Sequence, residues 1–173
     1  MTPPGLTPRQ LGGQLTHIDQ HGRARMVDIT AKPITARLAV ARCLVRAERD
    51  AVRRLPPAGD VDPLAAAKVA GIQAAKLTYQ LIPLCHPLLL GDITVEVDRR
   101  DDGFDVEATA AVDDRTGVEM EALTACGAAG LSLVMALMPF DPLAHMDQLT
   151  LWHKSGGRSG TWERRSGTPG DLR

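Results

Sequence analysis

The stretch ITVEVDRRDDGFDVEATAAV, residues 93–112, decides the fold class. Ile93, Val95 and Val97 alternate with Thr94, Glu96 and Asp98. After Asp102-Gly103 the alternation resumes at Phe104, Val106, Ala108, Ala110 and Val112. A period of two marks a strand with one apolar face, and Asp-Gly is a hairpin-turn signal. Residues 92–112 are therefore predicted to form a β-hairpin. Its faces differ in polarity, so the antiparallel pair is expected to be covered on one side and open on the other.

Upstream, Ile34, Leu38, Ala41, Val45, Val52 and Leu55 recur at three- to four-residue steps, and Pro56-Pro57 follows. That spacing predicts a helix over 34–55. Arg37, Arg42, Arg46, Arg49 and Arg53 would form its solvated basic face. A second helix is predicted over 64–82, with Asp62 as N-cap and Pro63 at the first helical position. Gly71 inside it suggests close packing against another backbone, and Pro83 ends it. A third helix is expected over 117–138, a last strand at Leu149–His153, and short extended segments at Gln14–Asp19 and Ala24–Ile29 around a turn at Gln20–Gly22. Strands, two helices, a hairpin, a helix and a strand imply an α+β fold with helices on one face of an antiparallel sheet. Residues 1–13 and 163–173, rich in Gly, Pro, Thr and Ser, are expected to be disordered. One folded domain is left over 14–162, without internal repeats.

Composition narrows the functional classes. The net charge of −1 gives no global field for nucleic acid or a membrane surface. Aromatic residues are 3% of the chain, too few for base-stacking platforms and few enough to require an aliphatic core. Cys43, Cys85 and Cys126 have neither CxxC spacing nor the number for a disulfide framework, so free thiols in a reducing compartment are expected. The apolar run Ala122–Phe140 is interrupted by glycines and abutted by Glu119 and Glu121, and reads as a buried core helix. The expectation is a cytoplasmic protein without a membrane span.

Three stretches could carry chemistry. LIPLCHPL, residues 81–88, sets Cys85 beside His86 in the loop after the second helix. Zinc would need three or four ligands, and His17, His21, His145 and His153 are scattered. A His directly adjacent to a Cys is a poor general base for it. On chemistry alone, a space-filling Cys and a His making one polar contact account for the pair. In TGVEMEALTA, residues 116–125, Glu119 and Glu121 stand at a helix entrance. There they either favour the helix dipole or reach one pocket. HKSGGRSG, residues 153–160, combines glycines with Lys154 and Arg158, a composition suited to holding an anion.

Together with LTHID (15–19), MVDIT (26–30), AGIQAAKLT (70–78) and RTGVEMEALTA (115–125), these strings resemble the MoaC family from about Leu15 to Gly160. These are the cyclic pyranopterin monophosphate synthases of molybdenum-cofactor biosynthesis, a class of lyase. The resemblance implies a ferredoxin-like α+β fold in a homohexamer, a trimer of dimers with sites at the dimer interface. It implies a cyclised dihydro-GTP as substrate, pyrophosphate release, and no metal or organic cofactor. It makes Leu84, Cys85, His86, Met120, Glu121 and Lys154 substrate-binding, and His86, Glu119, Glu121 and Lys154 catalytic. Cys85 becomes a wall of the pocket.

The chain departs from the family pattern at four positions. Met135 and Met138 occupy the positions of the family's catalytic Asp and Lys. Asp60 stands at a lysine position of the turn before the second helix, and Lys68 at an arginine position. Neither methionine can carry a proton or a charge. The chain is therefore expected either to work with Lys154, Lys32 or Lys68 standing in, or to be a pseudoenzyme that binds a related ligand or assembles with an active homologue.

Overall fold

A computed structural model describes residues 17–19, 21–56 and 62–164. The elements run β1 (Thr35–Arg46), α1 (Arg49–Arg54), α2 (Pro63–Lys76), α3 (Thr78–Leu81), β2 (Asp92–Arg100), β3 (Gly103–Asp114), α4 (Glu119–Leu137), β4 (His145–Ser155) and β5 (Trp162–Glu163). The strands form one five-stranded sheet in the order β2-β3-β1-β4-β5, and every pairing is antiparallel. The architecture is the expected α+β, ferredoxin-like one, with α2 and α4 on the sheet.

The hairpin forms as its alternation requires. Val95 faces Ala108 and Val97 faces Val106, all four buried. The helix expected over 34–55 does not form. Its first half is β1, and α1 occupies only part of the remainder. β1 is the central strand, with β3 on one edge and β4 on the other. Pairing on both edges outweighs the helical preference of an Ala- and Arg-rich segment. A period of two was present as well, since Ala39, Ala41, Cys43 and Val45 fill the covered face.

The five arginines therefore do not share one helix face, although Arg49 and Arg53 stay exposed. Arg42 pairs with Glu107 at 2.5 Å and stacks over Trp152. Arg46 meets Asp102, Arg49 meets Asp101, and Arg53 approaches Asp50. Arg37 points to the other side of the sheet from Arg42, because strand residues alternate.

The second helix is interrupted. Asp62 caps α2 by accepting from Leu64 N–H at 2.9 Å, but Leu77 leaves helical geometry and α3 begins afresh. The final strand is longer than Leu149–His153, and a bulge shifts its register against β1. Gln148 takes a left-handed φ of 53° in that stretch. Ile18 and Ala24 form an isolated bridge at the expected N-terminal turn. The expected start of that segment at Gln14 and the segment 1–13 lie outside the described residues, as does 165–173. Glu163 pairs with His153 in β5.

α4 is long and apolar enough to cross a membrane by length and composition. It instead packs on β1, β3, β4 and α2 as the core helix. The contact is close because the facing residues are small. Ala122, Ala125, Cys126, Ala129 and Gly130 are buried along α4, and Ala67, Gly71 and Ala75 along α2. A Cβ on Gly71 would fall 2.8 Å from the Ala125 carbonyl oxygen, whereas one on Gly130 would meet the movable Met146 thioether at 2.7 Å. Gly71→Ala is expected to destabilise the fold by about 1–3 kcal/mol through overpacking, and Gly130→Ala by clearly less. Thermal unfolding of the two variants checks this, and equal midpoints would contradict it.

Candidate active site

The loop after α3 turns tightly. Cys85 N–H donates to the Ile82 carbonyl at 3.3 Å, and Leu84 adopts φ 68°. A left-handed leucine costs roughly 1–2 kcal/mol, and such strain collects where a site needs a particular backbone shape. Cys85 is half-buried, and burial and then the charge of Glu121 push its thiol pKa up. It is not a thiolate nucleophile at neutral pH. His86 is half-buried and makes no hydrogen bond or ion pair within the described residues.

α4 begins beside this loop. Glu119 is its first residue, and the N-cap position, Val118, supplies no side-chain cap. The Glu119 carboxylate accepts from Lys154 Nζ at 3.1 Å. It also folds back over Gly117, where a Cβ would collide with it. Lys154 lies opposite Ala39 on the covered face of the sheet, and its Nζ also donates to Ser159 Oγ at 2.8 Å.

Glu121 is 4% exposed. Burial, reinforced by the charge of Glu119, raises its pKa from 4.5 to about 7, against an opposing backbone hydrogen bond. Helix N-terminal position favours the carboxylate, but desolvation outweighs it. Met120 lies between the two acids and is partly exposed.

Leu84, Cys85, Met120, Glu119, Glu121 and Lys154 are thus gathered around the N-terminal end of α4, with His86 on the adjoining loop. Met135 and Met138 are not among them. They lie towards the other end of the same helix, 69% and 53% exposed. At 1.5 Å rise per residue, Met135 is roughly 21 Å from Glu121 along the axis. Lys68 is engaged by Glu96 at 2.7 Å, and the Lys32 carbonyl accepts from Arg115 Nε at 3.0 Å. Asp60 lies outside the described residues.

Two concavities occur elsewhere, around α1 and the ends of β1 and β4. One of about 240 Å³ is lined by Arg49, Arg53, Arg99 and Arg100 with Asp101. Its arginines are engaged, Arg100 by Asp105, Arg49 by Asp101 and Arg99 by the Val52 carbonyl. The other, about 300 Å³, is framed by Asp141, which is buried and accepts from the Glu48 and Leu143 N–H groups. Neither touches the residues gathered at α4. Among the described residues no group of three or more His, Cys, Asp or Glu side chains is placed to hold a metal.

One residue beside the site escaped the sequence reading. Arg37 donates from Nε to the Asp114 carbonyl at 2.9 Å, and its guanidinium lies against Gly157 in the Lys154 loop. Reading β1 as a strand would have found it, since Arg37 then shares a face with Ala39 and, across the ladder, with Lys154.

The MoaC family model matches residues 26–157. The chain belongs to the MoaC family. It is 49% identical over 157 residues to "Cyclic pyranopterin monophosphate synthase 2" of Mycobacterium tuberculosis, covering 88% of this chain and 93% of that one. It is 48% identical over 155 residues to "Cyclic pyranopterin monophosphate synthase" of Thermomicrobium roseum, covering 87% and 93%. To the protein of the same name from Corynebacterium efficiens it is 46% identical over 153 residues, covering 86% and 97%. The resemblance drawn from the motifs therefore stands, and with it assignment to a family of lyases.

The raised pKa of Glu121 has a consequence for stability. Between 4.5 and about 7 the folded chain binds more protons than the unfolded chain. Stability is therefore lost as pH rises through that window and is lowest above it. Glu121→Gln should abolish this dependence and raise the melting temperature near pH 7.5 by a few degrees, about 2–4 °C per kcal/mol for a chain of this size. A variant melting below the native chain at pH 7.5, with the slope unchanged, would contradict it.

Proposed function

We propose that this chain binds a cyclised dihydro-GTP as a cyclic pyranopterin monophosphate synthase-type protein of molybdenum-cofactor biosynthesis, acting in the cytoplasm. The observation that carries the reading is the gathering of buried Glu121, the Glu119–Lys154 pair and the strained Leu84–His86 loop at one helix end. A purine-like ring presents N–H donors, which carboxylates accept. With a pKa near 7, Glu121 is poised to hold or release a proton at neutral pH. His86 supplies a polar contact to the base or ribose. Lys154 is a cation for the triphosphate, able to stabilise charge on the departing pyrophosphate. The Cys85 thiol walls the pocket.

The separation along α4 bears on assembly. Met135 and Met138 cannot reach a ligand held at Glu121 of the same protomer. The family's Asp and Lys positions can therefore join this site only from another subunit. That supports a homo-oligomer with each site shared between protomers, for which the family resemblance implies a hexamer built as a trimer of dimers.

A second reading rests on the same two residues. Met135 and Met138 share a helix face with exposed Leu131, an apolar patch where the family carries a charged pair. In this reading the chain is a non-catalytic paralogue. It binds a related ligand, or contributes His86, Glu119 and Glu121 to a mixed site whose Asp and Lys come from an active homologue.

Product formation by the purified homo-oligomer, given cyclised dihydro-GTP, separates the readings. Loss of a general acid–base group costs about two to four decades in rate, so the native chain should fall at least a hundredfold below an active family member. Met135→Asp/Met138→Lys should recover part of that deficit. A native rate equal to that of the active relative would show that other side chains carry the proton transfers.

A further inference from the structure

Glu119 is the first residue of α4, and its carboxylate accepts from Lys154 Nζ at 3.1 Å. What lets it sit there is a residue with no side chain. Gly117 lies under the carboxyl group. A Cβ on Gly117 would have three nearest neighbours, all from that group: Oε2 in collision, Cδ at 2.8 Å and Oε1 at 3.0 Å. The carboxylate fills the volume that a Cβ would take.

The backbone does not ask for glycine at this position. Gly117 has no left-handed φ, unlike Gly156 and Gly157, so other residues fit its conformation. No main-chain atom is among the three nearest to the Cβ position, whereas Gly71 faces the Ala125 carbonyl oxygen. The obstruction is the far end of one flexible side chain, and a substitution would be absorbed by Glu119 rather than by the fold. Side chains occupy discrete staggered wells, so Glu119 would leave for another rotamer instead of yielding a few tenths of an ångström. Lys154 Nζ would then keep Ser159 Oγ, at 2.8 Å. Val118, between Gly117 and Glu119, is buried and supplies no side-chain cap, so it offers the carboxylate no other seat.

We propose that Gly117 is a positioning residue of this site. Its missing side chain seats the Glu119 carboxylate on Lys154 as an internal counter-ion, which a ligand phosphate has to displace. The assignment of that role rests on reading Lys154 as the cation for the triphosphate. Both partners are largely sheltered, Lys154 24% and Glu119 31% exposed, so water does not simply replace the carboxylate. Unseating it leaves the ammonium charge unmatched and strengthens its attraction for a polyanion. A glycine that served the fold would behave in the opposite way, since replacing it would weaken binding along with stability.

Two measurements on the full-length protein test this. The first is thermal unfolding of Gly117→Ala, Glu119→Ala and the double variant, a cycle that isolates the coupling of the two residues. Without the carboxylate, Ala fits at position 117 and should leave the midpoint unchanged or raise it. With Glu119 present, the same substitution should come out lower by about 2 °C or more. Equal shifts in the two backgrounds, or a double variant that fails to fold, overturn the seat. The second is calorimetric titration with inorganic tripolyphosphate. Gly117→Ala and Glu119→Ala should each tighten binding by about threefold or more, the double variant no further, and Lys154→Gln should weaken it. Binding by Gly117→Ala that is weaker than native or unchanged overturns the counter-ion role. If no variant and no native chain binds millimolar tripolyphosphate while the melting cycle shows the coupling, the phosphate reading of Lys154 fails and the seat stands.

Discussion

The rest of the fold depends on how closely α4 lies against the sheet and α2. Ala and Gly line the facing surfaces, so the backbones approach until the Gly71 position has no room for a Cβ beside the Ala125 carbonyl. An aliphatic core with so few aromatic rings can still be dense, because small side chains let the elements themselves fill the space. Among the largest fully buried side chains, Phe104 is the lone aromatic. It sits where β3 begins, beside the hairpin turn.

That closeness also sets the chemistry. The first turn of α4 is pressed against the loop that follows α3, and Glu121 loses its water there. A carboxylate in water would be fully ionised at neutral pH. This one is balanced near half-protonation by desolvation against the helix end. Two residues earlier, Glu119 remains in reach of Lys154 and keeps its charge paired. Glu121 thus owes its raised pKa to its surroundings alone, a common way of preparing a carboxyl group for acid or base work.

The hairpin was legible because its alternation is unbroken and its turn is Asp-Gly. α2 and α4 were legible from an Asp-Pro cap and a long apolar run. β1 was not, because TARLAVARCLVR satisfies both periods at once. What selects the strand is pairing with β3 and β4, segments far along the chain that a local window cannot see. The error hid Arg37, since on a helix it lies with the other arginines and on a strand it parts from Arg42. His86, Glu121 and Lys154 could be named from their motifs. The burial of Glu121 and the grip of Glu119 on Lys154 could not, because both are properties of distant segments meeting. The distance between Met135 and the glutamates was implicit in the helix itself.

The central place of β1 governs how the chain must fold. Thr35 pairs with Asp114, and Leu38 with Ser155. The first strand made is therefore completed on its second edge by nearly the last. During synthesis it leaves the ribosome with aliphatic residues and two open hydrogen-bonding edges, and waits for most of the chain. Such non-local pairing slows folding and prolongs exposure of strand edges to other chains. Arginines at Arg37, Arg42 and Arg46 are spaced along that waiting strand, where their charge opposes edge-to-edge association before their partners Glu107 and Asp102 arrive.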